Sequence, residues 1–119
     1  MNIVLWTLQA LLALVFVGAG GVKTTLPLPS LAAKLGGWVH QVPLSLIRLV
    51  GVAEILGAAG LVLPRAFDVD SFLTPIAAVG LAVTMVGAIV IHGRRGETKE
   101  VSTNVVLFAL CLVVAAGAF

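Results

Sequence analysis

Few residues in this 119-residue sequence can do chemistry, and the foremost is Glu54. It stands inside the apolar run 44–63, about ten residues from its start. On a helix that is about 15 Å along the axis, close to the middle of a bilayer. Four other polar residues stand at the ends of apolar runs: Lys23, Arg48, His92 and Asn104. A carboxylate among an amine, a guanidinium, an imidazole and an amide can hold a hydrogen-bond network, move a proton, or grip the polar end of a lipid-soluble molecule. Placing Glu54 at mid-membrane costs up to about 3 kcal/mol, and each Leu, Ile or Val contributes about 0.3–0.6 in the other direction. The eleven such residues in 44–63 supply about 5 kcal/mol, which must also cover Arg48. Insertion is favourable by a small margin, so Glu54 is expected to face the bundle interior, paired or protonated.

Other chemistries find no residues to carry them. Cys111 has no second cysteine for a disulfide or a CxxC pair and reads as a small apolar packing residue. Two histidines, His40 and His92, without ligand-like spacing fall short of a metal site. No nucleophile has a base beside it, and no complete catalytic constellation exists, so the reading leans away from an enzyme. Seven Lys and Arg against five Asp and Glu form no basic stripe with interleaved aromatics, so nucleic acid is dropped as a partner.

The elements that must position these residues follow from composition. The chain is 61% hydrophobic and 10% charged with mean hydropathy +1.20, where soluble domains run near 45–50% and about 25%. Apolar runs at roughly 3–22, 44–63, 73–92 and 102–118 each approach the roughly twenty residues that cross a hydrocarbon core. The expected fold is all-α: a single four-helix transmembrane domain over 1–119. The first run lacks a basic leader, so it reads as a retained helix rather than a secretory signal. In the first connection, Ser30 is expected to cap a short helix over Leu31–Leu35 that Gly36 ends, with Trp38 at headgroup depth. The second connection, 64–71, is short and acidic; the third, GRRGETKE, is compact and charged. Counting Lys and Arg puts connections 23–43 and 93–101 on the cytoplasmic side and both termini outside. Gly51, Gly57, Ala58 and Gly60, with Ala78, Gly80, Ala82, Gly87 and Ala88, are expected to let backbones approach, since contact rather than hydrophobic burial drives packing in lipid.

This topology gathers Lys23, Arg48, His92 and Asn104 at one membrane face. Six residues is not a same-face spacing, so Lys23 or His92 is expected to meet Glu54 rather than Arg48. Each also has an ordinary explanation: Lys23 as an interfacial anchor, Arg48 and Arg95 as charges that set topology, Asn104 as a cap or interhelical bond, His92 as an interfacial histidine. Glu54 has none as ordinary.

The stretches FVGAGGVK, RLVGVAEILGAAGLVLP and LTPIAAVGLAVTMVGAIVIHGRRGE, with Asn104, resemble the DoxX-like family of bacterial membrane proteins over the whole chain. The ordered set Lys23, Arg48, Glu54, Pro64, Pro75, His92 and Asn104 carries the resemblance. It implies a four-helix fold in the bacterial inner membrane. The wider superfamily includes a small subunit of an archaeal thiosulfate:quinone oxidoreductase and a mycobacterial protein associated with membrane redox complexes. The expectation is therefore a non-catalytic accessory subunit, or a quinone- or lipid-binding module, of a membrane redox system. Glu54, Lys23, Arg48, His92 and Asn104 would form its polar network. Quinone is the expected ligand class, and the bilayer, a membrane redox protein or a second copy the expected partners. The alternatives are a structural or assembly partner of another membrane protein, and a proton or small-solute pathway.

Overall fold

The computed structural model describes residues 3–67 and 72–118. Hydrocarbon offers no partners to backbone N–H and C=O groups, so each apolar run closes its own bonds as a helix. Four do so: α1 (Ile3–Thr25), α3 (Leu44–Ala66), α4 (Leu73–Arg94) and α5 (Thr98–Ala118), with mean hydropathy between 1.9 and 2.2. Helix α1 runs on past the expected end at 22, and α5 starts at Thr98 rather than at 102. The long dimension of the molecule, 41 Å, matches a bilayer with its headgroups. The acidic part of the second connection, residues 68–71, lies outside the described residues.

Two prolines sit where helices tolerate them. Pro75 falls in the first turn of α4, where its missing N–H would be unpaired anyway. Pro64 lies inside α3, near its C-terminal end. One residue on from the carbonyl it strands, Leu61 O accepts a 2.6 Å bond from Nε2 of the buried Gln9 of α1, which ties α1 to α3.

The short helix α2 spans Leu28–Leu35, and a 3-10 turn follows at Gly37–His40. The expected start at Leu31 under a Ser30 cap is corrected: Pro27 occupies the N-cap without a side-chain bond, and Pro29 lies in the first turn. Proline's fixed φ suits a first turn better than a serine cap one position further on. Gly36 does end the helix, at φ +107, a value that suits glycine alone.

Helix α1 lies along α3, and α4 along α5; α3 also meets α4, while α1 and α5 touch much less. Where helices meet most closely, glycine permits it. A Cβ on Gly20 would stand 2.5 Å from Gly51 O, and one on Gly51 2.8 Å from Lys23 Cβ. Gly57 and Gly60 similarly seat Leu81 and Ala77 of α4. Gly80 and Gly87, expected to be contact glycines, serve no close approach: a Cβ at either would have nothing within 4 Å, because both are exposed on α4.

The core fills the half of the bundle away from the long first connection. Leu12, Phe16, Ala58, Leu61, Ala78, Leu81, Met85, Cys111 and Val114 are all nearly inaccessible there. At the loop side a second, small cluster of Leu31, Val39 and Ile47 pins α2 and the 3-10 turn to the start of α3, with Val22, Leu26 and Trp38 around it. Between these two clusters the helices separate.

Candidate functional site

The sequence puts Lys23 in the last turn of α1 and Glu54 mid-way along α3, running the opposite way. A helical side chain tilts towards its own N-terminus. Lys23, near the C-terminal end of α1, therefore extends down into the membrane, past the bare Cα of Gly51. Its Nζ reaches Glu54 Oε1 at 2.6 Å, with the lysine side chain 14% exposed and the glutamate 1%. The four-carbon stem spans the depth that separates the two residues along their helices.

The same tilt sends Arg48 the other way. It lies near the N-terminal end of α3, so its side chain turns towards the membrane face. There Nη1 donates to Lys23 O at 2.9 Å and to Leu26 O at 2.6 Å. These carbonyls lie at and just beyond the C-terminal end of α1, where orphaned C=O groups and the negative end of the helix dipole favour a cation. Arg48 thus closes α1 and fixes the backbone that carries Lys23, without touching Glu54.

His92 does not reach Glu54 either. Helix α4 ends at Arg94, the chain turns through Gly96 at φ +70, and Glu97 folds back onto the helix end. His92 Nδ1 donates to Glu97 Oε1 at 2.7 Å, since an ionised carboxylate can only accept. Arg95 Nε approaches the same oxygen at 3.3 Å. His92 first, and Arg95 after it, hold the Glu97 carboxyl below the ordinary carboxylate range. The indole of Trp38 meets the His92 ring edge-on, centroids 5.8 Å apart at 76°, and its Nε1 donates to Leu35 O at 2.9 Å. The first and third connections are thereby joined over one end of the bundle.

Beneath them lies a cavity of about 550 Å³. Glu54, Lys23, His92 and Asn104 all line it, each from a different spanning helix, while Arg48 does not. Asn104 stands two turns into α5 and its side chain makes no hydrogen bond among the described residues, so its amide is free to meet a ligand. The walls are otherwise mainly apolar, with Phe16, Ile47, Val50 and Leu107 among them. The roof comes from Lys34, Leu35, Trp38 and Val42. Val83 of α4 and Leu46 of α3 line the cavity and are 65% and 43% exposed, so it breaks out sideways between these helices. Volume and lining match the range of small-molecule sites.

The family model described as the DoxX-like family matches residues 7–114. The chain belongs to the DoxX-like family. Comparison with curated proteins and with solved structures finds no match. This DoxX-like chain is thus a small multi-pass membrane protein with four spanning helices in contact with lipid. Among its described residues no group of three His, Cys, Asp or Glu stands close enough to hold a metal.

Sequence reasoning missed Glu97 as the partner of His92, and missed Lys34 and Lys99 as cavity residues. It also passed over Gln9 and Thr74, both inaccessible, with Gln9 Oε1 and the Thr74 hydroxyl unpartnered among the described residues. A polar side chain within an apolar run was the available signal for these last two.

Proposed function

We propose that this DoxX-like protein is a non-catalytic module of a membrane redox system that holds one apolar-tailed membrane molecule, an isoprenoid quinone or a related lipid, in the cavity. The observation that carries the reading is the joining of a buried cation–carboxylate pair to an apolar chamber that is open to lipid. Lys23 Nζ has three protons and Glu54 Oε1 takes one of them, leaving donors for a carbonyl oxygen. Asn104 supplies a further amide and His92 an imidazole on the same wall. A tail would leave between Leu46 and Val83 into the leaflet.

The test is retention of ligand by protein drawn into nanodiscs from its own membrane, read by native mass spectrometry and by quinone extraction. Gly87 lines the cavity and has nothing within 4 Å of a Cβ, so Gly87→Trp obstructs the chamber without crowding the core. Wild type is expected to carry one quinone or isoprenoid-lipid adduct and Gly87→Trp to lose it at unchanged melting temperature. Glu54→Gln is expected to weaken retention about tenfold through loss of a charge-assisted network. Equal retention by wild type and Gly87→Trp, or a wild type without adduct, would sink the proposal.

A lipid-facing groove along α3 and α4, about 530 Å³ and lined by Leu56, Leu63, Phe67 and Ile76, favours a second reading: docking of another membrane protein. Co-purification of a protein partner that Leu56→Trp abolishes, with no ligand in the chamber, would support it instead.

A further inference from the structure

The mouth of the cavity carries charges that the ligand reading does not use. Lys34 comes to it from α2 and Lys99 from the first turn of α5. Neither side chain makes an ion pair or a hydrogen bond among the described residues. The carboxylates that could neutralise them are mostly engaged: Glu54 by Lys23, and Glu97 by His92 and Arg95. Only Glu100 is left on the same rim among the described residues. Trp38, a residue type that settles at headgroup depth, lines the same cavity.

Below this rim the wall opens on the side of α1 and α5. These helices meet at the far face, where Gly117 receives the Leu5 side chain. Towards the loops both line the cavity instead, Val15 from α1 at 46% exposed and Thr103 from α5. An apolar slot open to the leaflet, ending at two unpaired ammonium groups, complements a molecule with acyl chains and an anionic head.

We propose that Lys34 and Lys99 form a headgroup site for an anionic phospholipid of the surrounding leaflet, whose phosphate sits at the cavity mouth and whose chain lies in the slot between α1 and α5. The lipid covers the side of the chamber that α1 and α5 leave open. Phosphatidylglycerol satisfies the site because its phosphate charge is uncompensated; phosphatidylcholine brings a quaternary ammonium to two lysines. The site goes beyond the deep one at Lys23 and Glu54 and does not depend on what occupies it.

The experiment reconstitutes the full chain in nanodiscs of equal phosphatidylglycerol and phosphatidylcholine and reads the lipid retained by native mass spectrometry. Wild type is expected to enrich phosphatidylglycerol about thirtyfold, the order that two surface lysines supply. Lys34→Gln/Lys99→Gln is expected to retain both lipids equally at the melting temperature of wild type. Inorganic phosphate at millimolar concentration is expected to leave the retained lipid in place. Equal retention by wild type, or undiminished enrichment in the double variant, overturns the site. Displacement by inorganic phosphate overturns the assignment to lipid in favour of a bare anion site. A wild type that enriches phosphatidylglycerol but holds no quinone leaves this site standing and removes the proposed deep ligand.

Discussion

In the half of the bundle away from the loops, Leu12, Leu61, Leu81 and Val114 interlock to near-zero exposure around Gly57 and Gly60. In the loop-side half the same four helices separate around a cavity and are tied by polar contacts: Lys23 with Glu54, Arg48 with the end of α1, His92 with Glu97. The two halves share helix type and hydropathy and differ in what crosses between the helices. Lipid provides no hydrophobic drive for helices to associate, so a half is packed where small residues let surfaces touch. Elsewhere it must be held by hydrogen bonds and ion pairs, which can border an open space because they act at points. An open chamber at the loop side is therefore compatible with stability because the other half is closely packed.

The largest effect expected from this contrast lies at the Lys23–Glu54 pair. Removing one partner leaves an uncompensated charge in a nearly dry site, and single changes of this kind cost about 3–5 kcal/mol. Lys23→Met or Glu54→Met alone is expected to lose about 3 kcal/mol in reversible unfolding from detergent micelles. The double variant is expected within about 1 kcal/mol of wild type, because neutral side chains of similar volume replace the pair without leaving a charge. If the two losses simply add, the pair is not energetically coupled and the loop-side half is held by something else.

A second test compares the halves directly on one helix. Leu81, 1% exposed, packs on Gly57, whereas Ile91, further along α4, is half-buried and lines the cavity. Both truncations cut a branched aliphatic side chain back to alanine. Leu81→Ala leaves a hole that the surrounding packing cannot close and is expected to cost about 3 kcal/mol. Ile91→Ala enlarges a space that already exists and is expected to cost about 1 kcal/mol or less. Equal losses would mean that the cavity closes around Ile91 in the membrane.

The helices were legible in the sequence because hydropathy over twenty residues is a strong signal in lipid, and the expected spans match the helices to within about a turn. Glu54 stood out because its insertion energy has to be offset. What spacing alone could not tell was direction. The tilt of helical side chains sends Lys23 inwards and Arg48 outwards, so two cations that look alike at the ends of their runs do different things. Glu97 was out of reach because its contact with His92 depends on the turn at Gly96. The cavity was out of reach because it arises from the separation of the helices, and glycines on the sequence do not reveal which contact a helix and which face open space: Gly51 and Gly57 do the first, Gly80 and Gly87 do not.

The smallest effect is a pH dependence confined to the loop-side half. The Glu97 carboxyl titrates below its usual value of 4.5 because His92 and then Arg95 stabilise its charged form. A carboxylate lowered on folding contributes stability that is whole above its unfolded value and lost as pH falls through its folded value. Glu97 is partly exposed, so the contribution is small. Glu97→Gln is expected to melt slightly below wild type at about pH 6, with the difference shrinking as the pH falls below 4.5. The deficit of Leu81→Ala, which involves no titrating group, is expected to stay constant over the same range. A Glu97→Gln difference that does not change with pH would show that the His92 contact acts by packing alone, and the polar account of the loop-side half would then rest on Lys23, Glu54 and Arg48.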